Sequence, residues 1–204
     1  YYIYKHQQYS YQLSAEKKTI TFNISPQEYR ALRETTLTGF YTPPKIVDQI
    51  IKTIDSFGFD EGDVLEPSAG IGRFLDGPDE ITDWMRFTAI EPEPISSDIC
   101  RLLHPKANVL TCGLEQANLL PESFDAVIGN FPFGDIYVAD PAYNSLNLRI
   151  HDYFLVKCLD LLKIGGIMAV ITSTGTMDKK TEKARENAIS RGAELIGAIR
   201  LPES

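Results

Sequence analysis

From residue 63 onward, short apolar runs alternate with helical patterns, and that alternation leaves few folds open to the chain. Asp63–Glu66 reads as a strand, and Gly70–Leu75 opens a helix. Phe87–Glu91 is a strand, Ile95–Leu103 a helix, and Asn108–Thr111 and Phe124–Ile128 are strands. Ile150–Leu162 is a long amphipathic helix. Gly165-Gly166 turns into the strand Ile167–Thr172, Lys179–Arg191 is a helix, and Glu194–Arg200 is a last strand. Short apolar strands separated by helices bury both faces only when they lie side by side with helices above and below. The pattern therefore predicts an α/β fold with a mostly parallel, doubly wound sheet. Upstream, Ser25-Pro26-Gln27-Glu28 is a capping box with proline at the first helical position, which predicts a helix to about Arg33. Thr42 before Pro43 is a second N-cap, opening a helix to about Phe57 with Ile46, Val47, Ile50, Ile51 and Ile54 on its apolar face. Residues 1–24 are polar and tyrosine-rich, with a short strand at Thr19–Asn23. A partly helical N-terminal extension is expected over 1–36 and the main domain over 37–204.

With 204 residues and 43% hydrophobic content, the chain suffices for one ordinary domain with a proper core. No stretch approaches the roughly eighteen apolar residues of a membrane helix, and the first residues do not form a signal peptide. The chain opens Tyr-Tyr-Ile-Tyr and stops at Leu201-Pro202-Glu203-Ser204, which reads as a fragment of a longer protein, its sheet C-terminally truncated. Cys100, Cys112 and Cys158 are isolated, with no C-x-x-C pair and no His cluster. Neither a disulfide nor a metal site is expected, and a reducing cytoplasm fits. The net charge of -8 is unevenly spread, with sixteen acids against four bases in residues 56–140. Phosphate binding needs Lys and Arg, so bulk charge does not attract nucleic acid here. Lys179, Lys180, Lys183, Arg185 and Arg191 form the best local basic candidate, although a solvated helix face explains them as well.

Three stretches fall at predicted strand ends, where a doubly wound sheet holds its ligand. The first is Glu66-Pro67-Ser68-Ala69-Gly70-Ile71-Gly72-Arg73-Phe74. Gly70 and Gly72 let the backbone pass close to a ligand and turn sharply. The loop lacks G-x-G-x-x-G and Gly-Lys-Ser/Thr, so it is a poor pyrophosphate cradle. Glu66 would repel phosphate and suits a cationic group. The second is Glu91, where a carboxylate can accept both hydroxyls of a ribose. The third is Asn130-Phe131-Pro132-Phe133, an amide, a proline and an aromatic that can hold an exocyclic amine and stack on its ring. A tight turn, a solvated acid and a strand-end turn with a buried aromatic are the plainer readings of each taken alone. Backbone groups of Thr111-Cys112-Gly113-Leu114-Glu115, or the Glu115 side chain, could meet an adenine, or the stretch could form a simple loop. Phe40-Tyr41-Thr42-Pro43-Pro44 joins a loop to a helix N-terminus, where free N–H groups and the Thr42 hydroxyl could meet a carboxylate, or merely cap the helix.

Taken in order, these stretches resemble the class I S-adenosylmethionine-dependent methyltransferases, and more narrowly the N6-adenine DNA methyltransferases of the gamma motif order. Tyr41-Thr42-Pro43, Glu66-Pro67-Ser68-Ala69-Gly70-Ile71-Gly72 and Asn130-Phe131-Pro132-Phe133 carry that resemblance, over roughly residues 37–204. His151-Asp152-Tyr153-Phe154, Ile171–Lys179 and Gly197–Pro202 are similar to the methylase domain of very large helicase-linked proteins of phages and conjugative elements. The resemblance implies a Rossmann-like fold, S-adenosylmethionine as cofactor, and DNA with a flipped adenine as partner. Recognition would come from a target-recognition or helicase region outside this chain, in a restriction-modification or mobile-element setting. It implies that Tyr41, Thr42 and Pro43 contact the methionine end of the cofactor. Glu66, Pro67, Ser68, Ala69, Gly70 and Gly72 would cradle the cofactor, Glu91 would hold the ribose, and Cys112 and Gly113 would lie near the adenine. Asn130, Phe131, Pro132 and Phe133 would be catalytic. The chain departs from the pattern in three places. Phe131 replaces a proline, Arg73 stands where the family has a small or amide residue, and Cys112–Glu115 lacks the usual Asp-Phe.

Chemically, the Asn130 side-chain oxygen and the Phe131 carbonyl can each accept one amine hydrogen, freeing the nitrogen lone pair and stabilising its developing charge. No thiolate is needed, and without a Pro-Cys dipeptide cytosine C5 chemistry is disfavoured. His151 beside Asp152 reads as structural. An amino methyltransferase acting on protein glutamine or RNA guanine, and a degenerate cofactor-binding scaffold of a helicase-linked protein, remain open beside DNA adenine methylation.

Overall fold

The computed structural model of the chain describes residues 3–5, 8–15, 18–24, 42–178, 180 and 183–201. Two compact units divide it, Tyr1–Tyr41 and Thr42–Ser204. The first contains three antiparallel strands, β1 (Ile3–Lys5), β2 (Gln8–Ala15) and β3 (Lys18–Ile24), in the order β1-β2-β3. Ala15 sits opposite Lys18 in the β2–β3 hairpin. One short strand was expected here. The polar, tyrosine-rich run before it instead alternates well enough to pair with it along its length. The helix expected at Ser25–Arg33, and Tyr41, lie outside the described residues.

The second unit holds β4 (Gly62–Glu66), β5 (Met85–Ile90), β6 (Asn108–Leu110), β7 (Phe124–Asn130) and β8 (Leu162–Ile171). Their order is β6-β5-β4-β7-β8, and every pairing is parallel. The helices are α1 (Pro44–Ser56), α2 (Asp79–Thr82), α3 (Pro94–Leu103), α4 (Ile150–Leu161), α5 (Thr174–Asp178) and α6 (Lys183–Ser190). Side chains alternate across the sheet with period two. Leu65, Ile90 and Val127 face Tyr153, Phe154, Val156 and Leu161 of α4. Val64, Ala126 and Ile128 face Val47, Ile51 and Ile54 of α1, while Cys100 of α3 packs with Ala89 and Val109. Each fully buried aliphatic side chain contributes roughly 1.5–3 kcal/mol, which is why strands this short persist only when covered on both faces. The doubly wound α/β architecture follows.

Several local expectations are corrected. Helix α1 starts at Pro44 with Pro43 in the cap position, so Thr42 stands one residue earlier and no side chain accepts a cap hydrogen bond there. Two prolines fit there because the first N–H groups of a helix lack partners anyway. Gly70–Leu75 opens only a single 3-10 turn, Arg73–Leu75. Gly70 (φ 55) and Gly72 (φ 91) hold left-handed backbone that an α-helix cannot continue through. Strand β8 runs directly out of α4 instead of starting at Ile167. Its register with β7 shifts between Phe124 and Ala126, where Asp125 accepts from Asp63 N and from Lys163. Of the helix expected over 179–191, the described part is α6, and a separate short helix, α5, precedes it over residues that were not expected to be helical. Glu194–Arg200 forms no strand. It pairs with no described strand, and Leu195, Ile196 and Ile199 stay exposed, so alternation alone did not order it.

Candidate active site

The winding reverses between β4 and β7: the chain passes from β4 outward to β5 and β6, then returns to β7 beside β4 and continues to β8. The carboxyl ends flanking such a reversal are where doubly wound sheets open a crevice. Glu66 ends β4 and Asn130 ends β7, so two residues 64 positions apart meet there through strand pairing.

The join is tight. A Cβ placed on Gly129 would stand 3.1 Å from Glu66 Oε1 and 3.5 Å from Pro67 Cδ, so the Glu66 carboxylate lies against the backbone just before Asn130. The Ser68 hydroxyl donates to the Asn130 carbonyl at 2.8 Å, tying the glycine loop to the tetrapeptide. Ala69 N donates to Ile90 O at 2.8 Å. Gly70 N donates to Glu91 Oε2 at 2.8 Å, and Glu93 N donates to Glu91 Oε1 at 2.8 Å. Glu91 thus splints the loop to the end of β5. Each of its oxygens still has a second lone pair for a ligand hydroxyl. The two loop glycines differ. A side chain on Gly70 would enter open space, whereas one on Gly72 would strike His104 and Cys100. Gly70 borders the crevice, and Gly72 packs against α3 and the residue that caps its C-terminus.

Glu66 is 1% exposed, and its Oε2 is buried without a hydrogen-bond partner among the described residues. Burial, reinforced by the charge of Glu91 and opposed by the Phe74 backbone N–H, pushes its carboxyl up to about 8. Glu91 is also raised, by burial first, against the N–H groups of Glu93 and Gly70. An orphaned buried carboxyl beside an open glycine edge fits a cationic ligand group. It does not fit a phosphate.

At the tetrapeptide, Asn130 is half-buried and its Oδ1 is out of contact with solvent. Phe131 is 1% exposed. Its N–H donates to Ile171 O at 2.9 Å, and its ring meets Phe154 at 5.6 Å between centroids. Proline could make neither contact, which explains the departure at this position. No described residue donates to the Phe131 carbonyl. Pro132 is half-buried and Phe133 is exposed.

The outlying candidates are placed less directly. Thr42 is buried and Pro43 exposed at the start of α1, and no hydrogen bond among the described residues ties either to the glycine loop. The half-buried Cys112 thiol is pushed up by burial and by Glu115. The Glu115 carboxylate folds over Gly113, whose carbonyl accepts from Gln116 N at 3.0 Å and Ala117 N at 3.1 Å. Arg73 pairs with Asp76 at 3.5 Å and is half-exposed. His151 is buried, with Nε2 3.7 Å from Asp152 Oδ1, and Asp152 lies 3.5 Å from Thr176 Oγ1. Within the basic set, Arg185 donates to Thr176 O and Met177 O, and Arg191 to Asp160 at 2.7 Å. Both guanidiniums serve the fold, Lys180 and Lys183 are exposed, and Lys179 lies outside the described residues.

Sequence reasoning missed Gly129, whose only signal was a glycine one residue before the amide. It also missed buried Asp140, which accepts from Tyr153 Oη and Lys157 Nζ, both at 2.8 Å. Only the packing of α4 brings these side chains together. The three cysteines are free, no cluster of metal-ligating residues occurs among the described residues, and no described helix is long and apolar enough to cross a membrane.

No family model matches the chain. It is 34% identical over 171 residues to "Defense against restriction protein B" of Escherichia phage P1, covering 81% of this chain but 7% of that protein. The chain thus spans a small fraction of its curated relative. Among solved structures, a type I restriction-modification system methyltransferase subunit from Streptococcus thermophilus superposes with a TM-score of 0.63 at 16% identity, covering 76% of this chain and 39% of that one. A SAM-dependent methyltransferase from Leishmania major gives a TM-score of 0.51 at 16% identity, over 82% and 70%. With the β6-β5-β4-β7-β8 order and the glycine loop at its switch point, these likenesses establish the fold as the Rossmann-like fold of SAM-dependent methyltransferases.

Proposed function

We propose that this domain transfers a methyl group from S-adenosylmethionine to the exocyclic N6 amine of an adenine flipped out of DNA. The observation that carries the reading is the orphaned, buried Glu66 carboxyl lying against Gly129, immediately before Asn130. It favours a ligand with a positively charged end at the crevice where the tetrapeptide begins. When bound, S-adenosylmethionine supplies an activated methyl on a sulfonium.

Each residue has a part in this scheme. Glu66, as carboxylate, receives the ammonium of the methionine moiety. Gly70 lets the ligand approach the backbone, and Glu91 offers its remaining lone pairs to the ribose hydroxyls. Cys112 and Gly113 would flank the adenine end, and Thr42 and Pro43 the methionine end. The Asn130 amide oxygen and the Phe131 carbonyl accept the two hydrogens of the target amine, pulling its lone pair out of conjugation and stabilising positive charge as it develops. Ser68 and Ile171 hold that pair of acceptors in place through the Asn130 carbonyl and the Phe131 N–H. Phe133 offers a stacking face, worth roughly 1–3 kcal/mol per base, against the few kcal/mol needed to extrude a base.

DNA is favoured as substrate by the Tyr-Thr-Pro motif upstream, by the phage protein whose name concerns restriction, and by the restriction-modification methyltransferase among the structural neighbours. With residues 56–140 so acidic, most DNA affinity is assigned to a region beyond this domain. The test uses labelled cofactor with DNA, RNA and protein in parallel, beside Asn130→Ala. Label in DNA adenine that disappears in the variant is the expected result. Label in RNA or protein glutamine reassigns the substrate, and cofactor binding with no transfer to any of them makes the domain a cofactor-binding scaffold.

A further inference from the structure

We infer that the cavity between the loop following Phe133 and α4 is a second nucleobase pocket, taking an unstacked base next to the methylated one. This deepens the DNA reading above and rests on it. The cavity measures about 140 Å3 and is walled by Tyr137, Tyr143 and Tyr153, with Asn144, Asn147 and Leu148 around its edge.

Its floor is rigid and electrically balanced. Tyr153 donates its hydroxyl to Asp140 and Tyr143 donates to Asp160, both at 2.8 Å, and the two rings meet edge to face at 5.6 Å. Lys157 neutralises Asp140 at 2.8 Å and stands 5.7 Å from the centroid of each ring. Neither an anion nor a cation therefore finds an uncompensated charge in the floor. The amides remain as polar handles. Asn144 accepts from Asp140 N through Oδ1 at 2.9 Å, which leaves its NH2 to donate. Asn147, with left-handed backbone at φ 46, also lines the cavity. Flat aromatic walls with amide donors and acceptors at the edge suit a planar heterocycle whose rim carries both kinds of group. A sugar would find too few polar partners among the rings.

The location favours a base of the same strand as the target. Tyr137 is four residues beyond Phe133, and Arg149 lies over its ring at 5.9 Å while pairing with Asp135, so the rim charge is neutralised and recognition falls to the rings and amides. Inside, Tyr153 meets Phe154 at 5.8 Å and Phe154 meets Phe131 at 5.6 Å. The pocket floor and the tetrapeptide are thus joined by a run of edge-to-face and tilted ring contacts. Contacts to nucleotides flanking a flipped base set sequence context in base-modifying enzymes, and this pocket would do so here.

The test is a titration of the whole 204-residue chain, labelled with nitrogen-15, with a single-stranded DNA trinucleotide carrying a central adenine. A second strand lacks both flanking bases. The expected result is movement of the Asn144 and Asn147 side-chain amide signals with the intact strand and not with the abasic one. Tyr137→Ala and Asn147→Gly should each weaken binding at least fivefold, the low end for loss of one stacked base. Glycine at 147 tolerates the left-handed backbone, and unchanged melting of both variants confirms folding. Equal movement with the abasic strand, unchanged affinity in both variants, no response to DNA, or tighter binding of a tyrosine- or proline-rich peptide overturns the pocket. The two readings fail separately. If Asn130→Ala abolishes DNA methylation while these variants bind as wild type, only the pocket falls. If the amides respond as expected but no methyl reaches DNA, only the methylation reading falls.

Discussion

Replacing Glu66 with Gln should remove most of the pH dependence of stability around neutrality in the ligand-free protein. Burial raises this carboxyl from its ordinary 4.5 to about 8. Below pH 4.5 the folded and unfolded chains both hold the proton, and stability is at its full value. Between 4.5 and about 8 the folded chain keeps a proton that the unfolded chain has released, so stability falls as pH rises. At ~1.4 kcal/mol per pH unit, the loss is ~3 kcal/mol by pH 7 and ~5 kcal/mol once the folded carboxyl ionises. Gln has the same shape and no charge to bury. Glu66→Gln should therefore match wild type near pH 4.5 and exceed it by a margin that widens to those values. Glu91 is raised in the same direction and remains in both proteins, so the difference between the two curves reports Glu66 together with its coupling to Glu91. Urea unfolding at half-unit steps from pH 4.5 to 8.5 measures it. A difference that stays constant across that range means Glu66 is already ionised in the folded state, and the account of an orphaned neutral carboxyl is then wrong. In a second arm, S-adenosylmethionine binding to wild type at pH 6–7 should release close to one proton, read by calorimetry in buffers of different ionisation enthalpy. Glu66→Gln should release none.

Phe131→Pro, which restores the more familiar motif, should destabilise the fold by roughly 3–5 kcal/mol in urea unfolding. It deletes the N–H donor to Ile171 O and the ring packed on Phe154. Gly129→Ala should lower cofactor affinity at least tenfold by calorimetry, since φ 154 strains any side chain and its Cβ would crowd Glu66 Oε1 at 3.1 Å. Asp140→Asn should cost about 3–5 kcal/mol of stability, because it strands Lys157 against buried tyrosines. Burial works to raise the Asp140 carboxyl, but Lys157, Tyr153 and the Ala142 N–H outweigh it and hold it below the usual range. The contribution of Asp140 is therefore present above pH 3.8 and should fade on further acidification, a fade that acid unfolding of Asp140→Asn should lack.

The parallel sheet, the covering of both its faces and the position of the glycine loop were legible in the residues. Hydrophobic period and glycine placement act locally and leave their mark on consecutive positions. The end of β4 at Glu66 was equally legible, because a strand stops where its apolar run meets a turn, whereas β7 runs two residues past the expected Ile128, to Asn130. Where local pattern had no partner to act on, it misled. Glu194–Arg200 reads as a strand yet lies unpaired and exposed, and the helix expected from Gly70 is reduced to one 3-10 turn because Gly70 and Gly72 hold left-handed backbone. Tertiary structure alone decided that Glu66 meets Gly129, that Ser68 holds Asn130, and that Phe131 belongs where proline was expected. It also decided that Tyr137, Tyr143 and Tyr153 line one cavity, with Asp140 and Lys157 bonded behind Tyr153. Those pairings join residues far apart in the chain, and their energies depend on burial and orientation. Neither quantity exists until the sheet and its helices have closed on each other.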